Sequence, residues 1–273
     1  MASVFDPISS RIAETLGFEA ALMGGSLVSH VVLGAPDVIV LTLTELAEQV
    51  HRCTRVSSVP LLIDGDHGYG NALNVMRTVE ELHFAGAAAV MIEDTLLPRP
   101  FGPDDAPKLI PMDESIGKMK AAVRARGDSD LLIFGRTGAA TIATIDEAIA
   151  RFRAFESTGV DALFIPSVRT REELDRIASA VSLPLVAGGV AEPVADPEYL
   201  ASRGVRMWSG GHQVFAVGVN ALFEAMKSVR EGLYPARLPG IASNALLDTV
   251  TGATGYKQRT HEFMGGRMKE GRR

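Results

Sequence analysis

Two carboxylates stand two positions apart where an apolar run ends, in the segment Leu62-Ile-Asp-Gly-Asp-His-Gly-Tyr-Gly70. Alternate residues of a strand share a face, so Asp64 and Asp66 are predicted to point the same way as the strand ends. At such a short distance, two carboxylate charges repel each other unless a cation lies between them. Carboxylate oxygens favour a hard ion such as Mg²⁺, with Mn²⁺ as a substitute, and such an ion keeps some of its waters. The segment therefore predicts a divalent-metal site, beside glycines that let the backbone turn tightly.

Other polar residues also follow apolar runs. Each type has an ordinary structural explanation: an isolated Asp usually caps a helix, a lone Arg makes an ion pair, and a His near a helix start is a cap or a surface group. Their number favours a shared function, because the catalytic groups of an α/β barrel come from the ends of several strands. The residues concerned are Gly25, Ser26, Asp37, Glu93, Arg136 and His212.

The types of these residues indicate one kind of substrate. Arg136 can hold a carboxylate through two parallel hydrogen bonds. The N–H groups of Gly25 and Ser26, with the Ser26 hydroxyl, can hold another carboxylate oxygen. The acids exceed what one ion binds directly, so one or two are predicted to be ligands and the others to hold its waters. The predicted substrate is a small anion with a keto oxygen beside a carboxylate, where a metal would polarise the carbonyl and stabilise a developing enolate.

Short apolar runs alternate with amphipathic segments along the chain. Strands are predicted at residues 20–23, 38–41, 59–63, 88–92, 131–134, 162–165, 184–187 and 205–209. Helices are predicted at residues 44–55, 72–85, 113–126, 145–157, from 170 onward, at 197–203 and from about 213 to 231. Such alternation implies a parallel sheet with helical crossovers, and this many units in 273 residues favour an α/β fold of the (β/α)₈ TIM type as a single domain, residues 1–273. Residues 235–273 have little strand character and are predicted to pack on a neighbouring subunit.

Composition narrows the class of protein. The formal net charge of −6 gives no basis for binding nucleic acid or an anionic membrane surface. No uninterrupted apolar run approaches the roughly 20 residues of a membrane span. The single cysteine, Cys53, excludes an intramolecular disulfide and a Cys-rich zinc site, and its helical segment makes it a predicted core residue. The first residues do not resemble a signal peptide, so the expected location is the cytoplasm.

Several motifs together resemble one known group of enzymes. The segments Asp64-Gly-Asp-His-Gly-Tyr-Gly70, Ile92-Glu-Asp94 and Gly135-Arg-Thr137 resemble signatures of the isocitrate lyase/phosphoenolpyruvate mutase superfamily. Further segments are most similar to its oxaloacetate decarboxylase branch: Ser3-Val-Phe-Asp-Pro-Ile8, Gly24-Gly-Ser26, Ala72-Leu-Asn-Val-Met-Arg-Thr78 and Glu93-Asp-Thr-Leu-Leu-Pro98. The resemblance covers nearly the whole chain, is specific through about residue 140 and fades toward the C-terminus.

This resemblance implies a Mg²⁺-dependent decarboxylation of oxaloacetate to pyruvate and CO₂ through a metal-stabilised enolate. It implies metal binding through Asp64 and Asp66, with Asp37 and Glu93 in the outer shell. It implies substrate binding at Ser26, Arg136 and His212. The group folds as a (β/α)₈ barrel that exchanges its last helix between paired subunits, so a homotetramer built as a dimer of dimers is expected. His212 is expected to be a neutral imidazole, because a helix N-terminus disfavours its cationic form.

Two alternatives remain open. The first is a carbon–carbon lyase of the methylisocitrate or 2,3-dimethylmalate type. Isocitrate and methylisocitrate lyases carry Lys-Lys-Cys-Gly-His in the lid after the fourth strand, whereas residues 96–108 of this chain contain neither Cys nor His. The missing acid–base group favours decarboxylation. The second is a non-catalytic metabolite-binding barrel, against which the presence of all four acids argues.

Overall fold

The computed structural model describes residues 1–102 and 106–265, and at its centre is a parallel sheet of eight strands. The strands are β1 (Ala2–Ser3), β2 (Ala21–Met23), β3 (Leu61–Asp64), β4 (Ala89–Glu93), β5 (Leu132–Arg136), β6 (Ala162–Ile165), β7 (Leu185–Ala187) and β8 (Val205–Trp208). Each strand pairs with the next in chain order from β1 to β8. Parallel neighbours need a crossover connection, which the helices supply.

The helices lie between the strands and after the last one. They are α1 (Pro7–Thr15), α2 (Gly25–Val28), α3 (Leu43–Thr54), α4 (Ala72–Phe84), α5 (Met112–Arg126), α6 (Ala139–Ile142), α7 (Ile145–Glu156), α8 (Arg171–Ala178), α9 (Pro197–Ser202), α10 (Gln213–Arg230), α11 (Asn244–Thr251) and α12 (Ala253–Met264). A π-helical segment, Ser29–Leu33, follows α2, and short 3₁₀ segments lie at Glu192–Val194 and Pro235–Arg237. Within the described ranges, no helix is long and apolar enough to cross a membrane.

The first and last strands are brought together by contacts between the two ends of the sheet. The Met1 ammonium group donates a hydrogen bond to the Trp208 carbonyl at 2.9 Å. The Ser3 hydroxyl lies 2.7 Å from Nδ1 of His212. The sheet thus curls round on itself, and the predicted (β/α)₈ TIM-type fold is confirmed.

One predicted strand is wrong and one strand was not predicted. Residues 38–41 are irregular, because β2 pairs directly with β3 and leaves no place in the sheet for them. Val38 and Val40 are 58% and 54% exposed, and Ile39 has a φ of +58°, which no strand allows. The place is filled instead by β1, which is too short to give a periodic signal. Asp37 therefore lies in the connection between α2 and α3 and not beside a strand.

The core has two layers. Residues on the outer face of the sheet, such as Met23, Ile63 and Ile133, pack under the helices. Residues on the inner face fill the barrel, namely Leu22, Leu62, Ala89, Met91, Phe134, Ala162, Phe164 and Val186. Since side chains alternate along a strand, the position two residues beyond an inner residue also points inward. This alternation decides which residues reach the mouth of the barrel.

The C-terminal helices differ in how they contact the barrel. In the described chain, no residue of α10 is buried. Helix α11 packs on α1 and buries Val250. The packing of residues 235–273 on a neighbouring subunit stays a prediction, and residues 266–273 lie outside the described residues.

Candidate active site

Three strands place charged side chains at one end of the barrel. Asp64, Glu93 and Arg136 each stand two residues beyond an inward-facing core residue, so each is the next inward position of its strand. Glu93 and Arg136 are also register partners on β4 and β5. Arg136 Nη1 donates a hydrogen bond to Asp64 Oδ2 at 2.7 Å, and its Nε lies 3.2 Å from Glu93 Oε2. The predicted charged residues of these strands therefore meet.

Asp66 reaches the same site from the turn after β3. Its N–H donates to Asp64 Oδ1 at 3.2 Å, and its carbonyl accepts a hydrogen bond from the Glu93 N–H at 2.8 Å. A Cβ atom added to Gly25 would lie 2.8 Å from both carboxylate oxygens of Asp66. A larger residue at position 25 would displace this carboxylate, so the Asp66 side chain depends on a glycine at the start of α2.

The carboxylates hold more negative charge than Arg136 offsets. Burial raises the pKa of Asp66 well above its usual value, and the charges of Asp64 and Glu93 raise it further. Burial also raises the pKa of Glu93 and of Asp37, and Asp64 adds to both shifts while Arg136 opposes them. Burial lowers the pKa of Arg136, but Asp64 and Glu93 outweigh it and leave that pKa raised. The site therefore favours binding of a further cation.

The donor set fits a hard divalent ion in its chemistry. The acidic cluster consists of Asp37, Asp64, Asp66 and Glu93. Every side-chain donor in it is a carboxylate oxygen, the type that Mg²⁺ prefers. Among the described residues, no group of three or more Asp, Glu, His or Cys side chains forms a ready metal cage. Arg136 contacts both Asp64 and Glu93, which keeps those carboxylates from enclosing an ion alone. An ion held by one or two carboxylates and retained waters fits this arrangement.

The predicted substrate-binding residues lie next to this cluster. Gly25 and Ser26 form the first turn of α2, where N–H groups have no partner within the helix. A Cβ atom added to Gly24 would lie 2.8 Å from Nε2 of His212 and 3.6 Å from the Ser26 hydroxyl. The His212 ring thus faces the mouth beside α2, where the sequence predicted it.

The expected neutral state of His212 has a different cause from the one proposed from the sequence. The pKa of His212 is lowered, chiefly by burial, with Arg136 adding to the shift and Asp64 opposing it. A nearby helix terminus is not needed to explain this. The Ser3 hydroxyl at Nδ1 also fixes how the ring is turned.

Several contributors to the site were missed from the sequence. Tyr69 lies beside Asp66, and its pKa is raised by burial and by the Asp66 and Asp64 charges. The Arg136 guanidinium lies over the Phe164 ring, 5.8 Å from its centroid. Ser3 and Lys118 act through contacts over long sequence separations. Tyr69 could have been found from the sequence, because it lies in the same segment as Asp64 and Asp66. No spacing rule relates the other residues to the site.

The only cysteine lies away from the mouth. Cys53 is 1% exposed, and burial raises the pKa of its thiol to about 11. It packs in the sheet–helix layer, so the prediction of a core residue is confirmed.

The lid segment, residues 96–108, begins and ends at neighbouring points of the barrel. The Leu96 N–H donates a hydrogen bond to the Lys108 carbonyl at 2.7 Å. Lid residues 103–105 lie outside the described residues.

One family model matches most of the chain. The family model described as phosphoenolpyruvate phosphomutase matches residues 1–230. The chain belongs to this phosphoenolpyruvate mutase family. The site described above lies entirely within the matched residues.

Two relatives are similar over nearly the whole chain. An oxaloacetate decarboxylase of Paraburkholderia xenovorans (strain LB400) is 59% identical over 266 residues, which cover 97% of this chain and 89% of that protein. An oxaloacetate decarboxylase of Rhodopseudomonas palustris (strain BisB18) is 53% identical over 264 residues, covering 97% and 91%.

Solved structures with this fold have different activities. An oxaloacetate acetylhydrolase in complex with 3,3-difluorooxalacetate has a TM-score of 0.85 at 25% identity, covering 98% of this chain and 92% of that one. A 2,3-dimethylmalate lyase has a TM-score of 0.85 at 28% identity, covering 99% and 92%. A phosphonopyruvate hydrolase complex with oxalate and Mg²⁺ has a TM-score of 0.84 at 26% identity, covering 96% and 93%. The fold alone therefore does not distinguish among these reactions.

Proposed function

We propose that this protein is a Mg²⁺-dependent oxaloacetate decarboxylase that releases pyruvate and CO₂. Two relatives with that name at 59% and 53% identity support the activity. A structural neighbour with Mg²⁺ and oxalate supports the metal. The geometric observation that carries the proposal is the Arg136 guanidinium within a surplus of carboxylates, beside the first turn of α2 and the His212 imidazole.

The substrate would be held from three sides. Arg136 binds one carboxylate through its planar fork, which suits a carboxylate better than an ammonium does. The N–H groups of Gly25 and Ser26, with the Ser26 hydroxyl, receive the other polar oxygens at the start of α2. His212 donates or accepts a hydrogen bond as a neutral ring and orients the carboxyl group that leaves.

Asp64 and Asp66 would hold the divalent ion, with Asp37 and Glu93 holding its waters. Bound there, Mg²⁺ would polarise the 2-keto oxygen and stabilise the charge that develops on it. The bond between C3 and C4 breaks, CO₂ leaves, and the electron pair moves toward the 2-keto oxygen. A proton from water then adds to C3 and gives pyruvate. Arg136 and His212 keep the bond that breaks in a fixed orientation throughout.

The lyase alternative needs an acid–base group that the lid of the related lyases supplies and the lid of this chain does not. Cleaving a 2-hydroxy diacid requires a base for the hydroxyl proton and an acid for the product. Cys53 is buried with a raised thiol pKa, which removes it from consideration. The lid sequence offers neither Cys nor His. These observations favour decarboxylation over cleavage of 2-methylisocitrate or 2,3-dimethylmalate.

The proposed activity is tested with a panel of small diacids. The purified protein with Mg²⁺ is incubated with oxaloacetate, 2-methylisocitrate and 2,3-dimethylmalate, and pyruvate is measured against a reaction without protein. We expect rapid pyruvate release from oxaloacetate alone, and Cys53→Ser should match the wild type. No turnover of any diacid, with metal bound, would instead support a metabolite-binding barrel.

We also propose that α10 docks on a second copy of this chain. Its apolar residues that are half or more exposed are Val214, Val217, Val219, Leu222, Phe223 and Met226. A contiguous apolar surface of this kind usually marks an interface. The exchange of this helix between paired subunits, and a dimer of dimers, would cover it. Light scattering after size exclusion should give a tetramer, and Phe223→Glu should dissociate it.

We also propose an alternative metal ion, a substrate class and a cellular compartment for the enzyme. Mn²⁺ should substitute for Mg²⁺, because both accept oxygen ligands in octahedral geometry. The partner is a small 2-oxo dicarboxylate, since the net charge of −6 offers no attraction for nucleic acid. We assign the cytoplasm as the compartment, which suits a single reduced thiol.

A further inference from the structure

The metal-binding loop, residues 65–70 between β3 and α4, has an unusual backbone. Asp66 and Tyr69 have φ angles of +48° and +59°, which side-chain-bearing residues rarely adopt. Gly68 has a φ of +80° in the same turn. Such conformations cost free energy and persist only where the surroundings impose them. The contacts that impose this turn therefore matter to the position of the Asp66 carboxylate.

Two buried side chains hold consecutive carbonyls of the metal-binding loop. Lys118 Nζ, from α5, donates a hydrogen bond to the His67 carbonyl at 3.0 Å. The Thr78 hydroxyl, from α4, donates one to the Gly68 carbonyl at 3.0 Å. Lys118 is 3% exposed and Thr78 is fully buried. The loop is thus fixed from the two helices that pack against each other behind it.

The Lys118 ammonium group is buried, although its hydrogen bond satisfies only one carbonyl. Burial of an ammonium costs free energy unless a carboxylate pairs with it. In residues 1–102 and 106–265, no carboxylate forms an ion pair with Lys118, and its one hydrogen bond goes to the loop. Burial lowers its pKa, although the charges of Glu114, Asp94 and Glu93 oppose that shift. Packing of the helix alone would be served by a methionine of similar volume.

We propose that Lys118 and Thr78 are positioning residues that clamp the metal-binding loop and so hold Asp64 and Asp66 in the geometry that binds the divalent ion. This inference rests on the proposed function, in which those two aspartates bind the metal. Neither Lys118 nor Thr78 is proposed to contact substrate or ion. They act through the backbone of the loop.

Three explanations of Lys118 predict different changes in metal affinity when the lysine is replaced. Removing a positive charge close to Glu93 and Asp94 would make the site more attractive to a cation and tighten metal binding. Losing the clamp would weaken metal binding, because the loop would relax toward an ordinary backbone. A purely structural lysine would lower the melting temperature of the protein and leave the metal dissociation constant of the folded molecules unchanged. The direction of the change in metal affinity separates the three cases.

The test compares the Mg²⁺ dissociation constant of four full-length proteins by calorimetry, with melting temperatures measured in parallel. The variants are Lys118→Met, Thr78→Val and the control Arg126→Met. Arg126 lies on the same helix and bridges it to Asp161 at the far end from the loop. We expect Lys118→Met to weaken Mg²⁺ binding by about tenfold or more, as loss of an outer contact typically does. Thr78→Val, which removes no charge, should weaken it in the same direction, and Arg126→Met should not change it.

A kinetic readout accompanies the binding measurement. The Mg²⁺ concentration for half-maximal pyruvate release should rise in Lys118→Met by the same factor as the dissociation constant. Saturating Mg²⁺ should restore kcat, because the ion stabilises the loop geometry that the clamp no longer holds. A kcat that stays low at saturating Mg²⁺ would contradict a positioning role.

Other outcomes would overturn the inference or the proposed function separately. Unchanged or tighter Mg²⁺ binding in Lys118→Met and Thr78→Val would overturn the clamp. If Lys118→Met does not fold, Thr78→Val decides the question by the same criterion. If Asp66→Asn binds Mg²⁺ as the wild type does, the proposed metal site fails, whatever the clamp variants show.

Discussion

Arg136 Nη1 lies 2.7 Å from Asp64 Oδ2, and the two side chains enter the barrel mouth from β5 and β3. The same guanidinium is the proposed partner of a substrate carboxylate. In the proposed function, Arg136 contacts both a metal-binding aspartate and a carboxylate of the substrate, so the two binding events would be coupled through it.

Arg136→Lys should lower kcat/KM for oxaloacetate by at least about tenfold, or about 1.4 kcal/mol of transition-state stabilisation. The lysine keeps the charge but loses the planar fork that binds a carboxylate bidentately. Steady-state kinetics at saturating Mg²⁺ measure the effect, with Arg126→Lys as the matched control. A loss smaller than twofold would mean that Arg136 is only an ion-pair partner of Asp64 and Glu93.

Asp66→Asn should abolish turnover while it stabilises the metal-free protein. The substitution removes a buried like charge from the acidic cluster and places at φ +48° a residue that tolerates that region better than most. A gain of about 1 kcal/mol would raise the melting temperature by about 2–4 °C in a protein of this size. Calorimetry of the metal-free proteins measures it. A lower melting temperature would show that the Asp66 charge supports the fold.

The pH dependence of stability should follow from the same carboxyl group. In the metal-free native protein the pKa of Asp66 lies above its usual value of 3.8, so unfolding releases a proton at pH values between the two. The free energy of unfolding should then fall as the pH rises through that window. The melting temperature of the wild type minus that of Asp66→Asn isolates this contribution, since both proteins share the other titrating groups. The difference should become more negative with rising pH, and a difference that does not depend on pH would refute the raised pKa.

His212 should remain neutral and functional below the usual imidazole range. Burial lowers its pKa from the ordinary value of 6.5, so kcat/KM should stay level as the pH drops through 6.5 and decline only below it. His212→Gln should lower kcat/KM and lose that decline. An acid limb that persists unchanged in His212→Gln would belong to the carboxylates instead.

The sequence predicted most of the fold and the charged centre because both depend on local order. An apolar run followed by an acid or a base, as at Asp64, Glu93 and Arg136, places the charge at a strand end wherever the strands are parallel. Residues 38–41 show the limit of this reasoning, since their β-branched side chains favour a strand but the β2–β3 pairing excludes them. The positive φ angle of Asp66 was not predicted either, because an aspartate in a turn does not by itself signal that region of backbone conformation.

Long-range contacts explain what could not be predicted. Lys118 is 51 residues from the carbonyl that it holds, and Ser3 is 209 residues from His212. No periodicity relates such pairs, and a lysine in a helical segment would ordinarily be assigned to the solvent-exposed face. The cause of the lowered pKa of His212 is burial, which depends on the assembled barrel.

In the proposed function, the acidic cluster and Arg136 direct a metal-dependent decarboxylation. The most direct measurement is the rate of pyruvate release from oxaloacetate at saturating Mg²⁺, for wild type and Asp66→Asn, after the rate with Mg²⁺ alone is subtracted. We predict rapid release by the wild type that EDTA abolishes, and no release above background by Asp66→Asn. Robust cleavage of 2-methylisocitrate or 2,3-dimethylmalate by the wild type, with no pyruvate from oxaloacetate, would contradict the account.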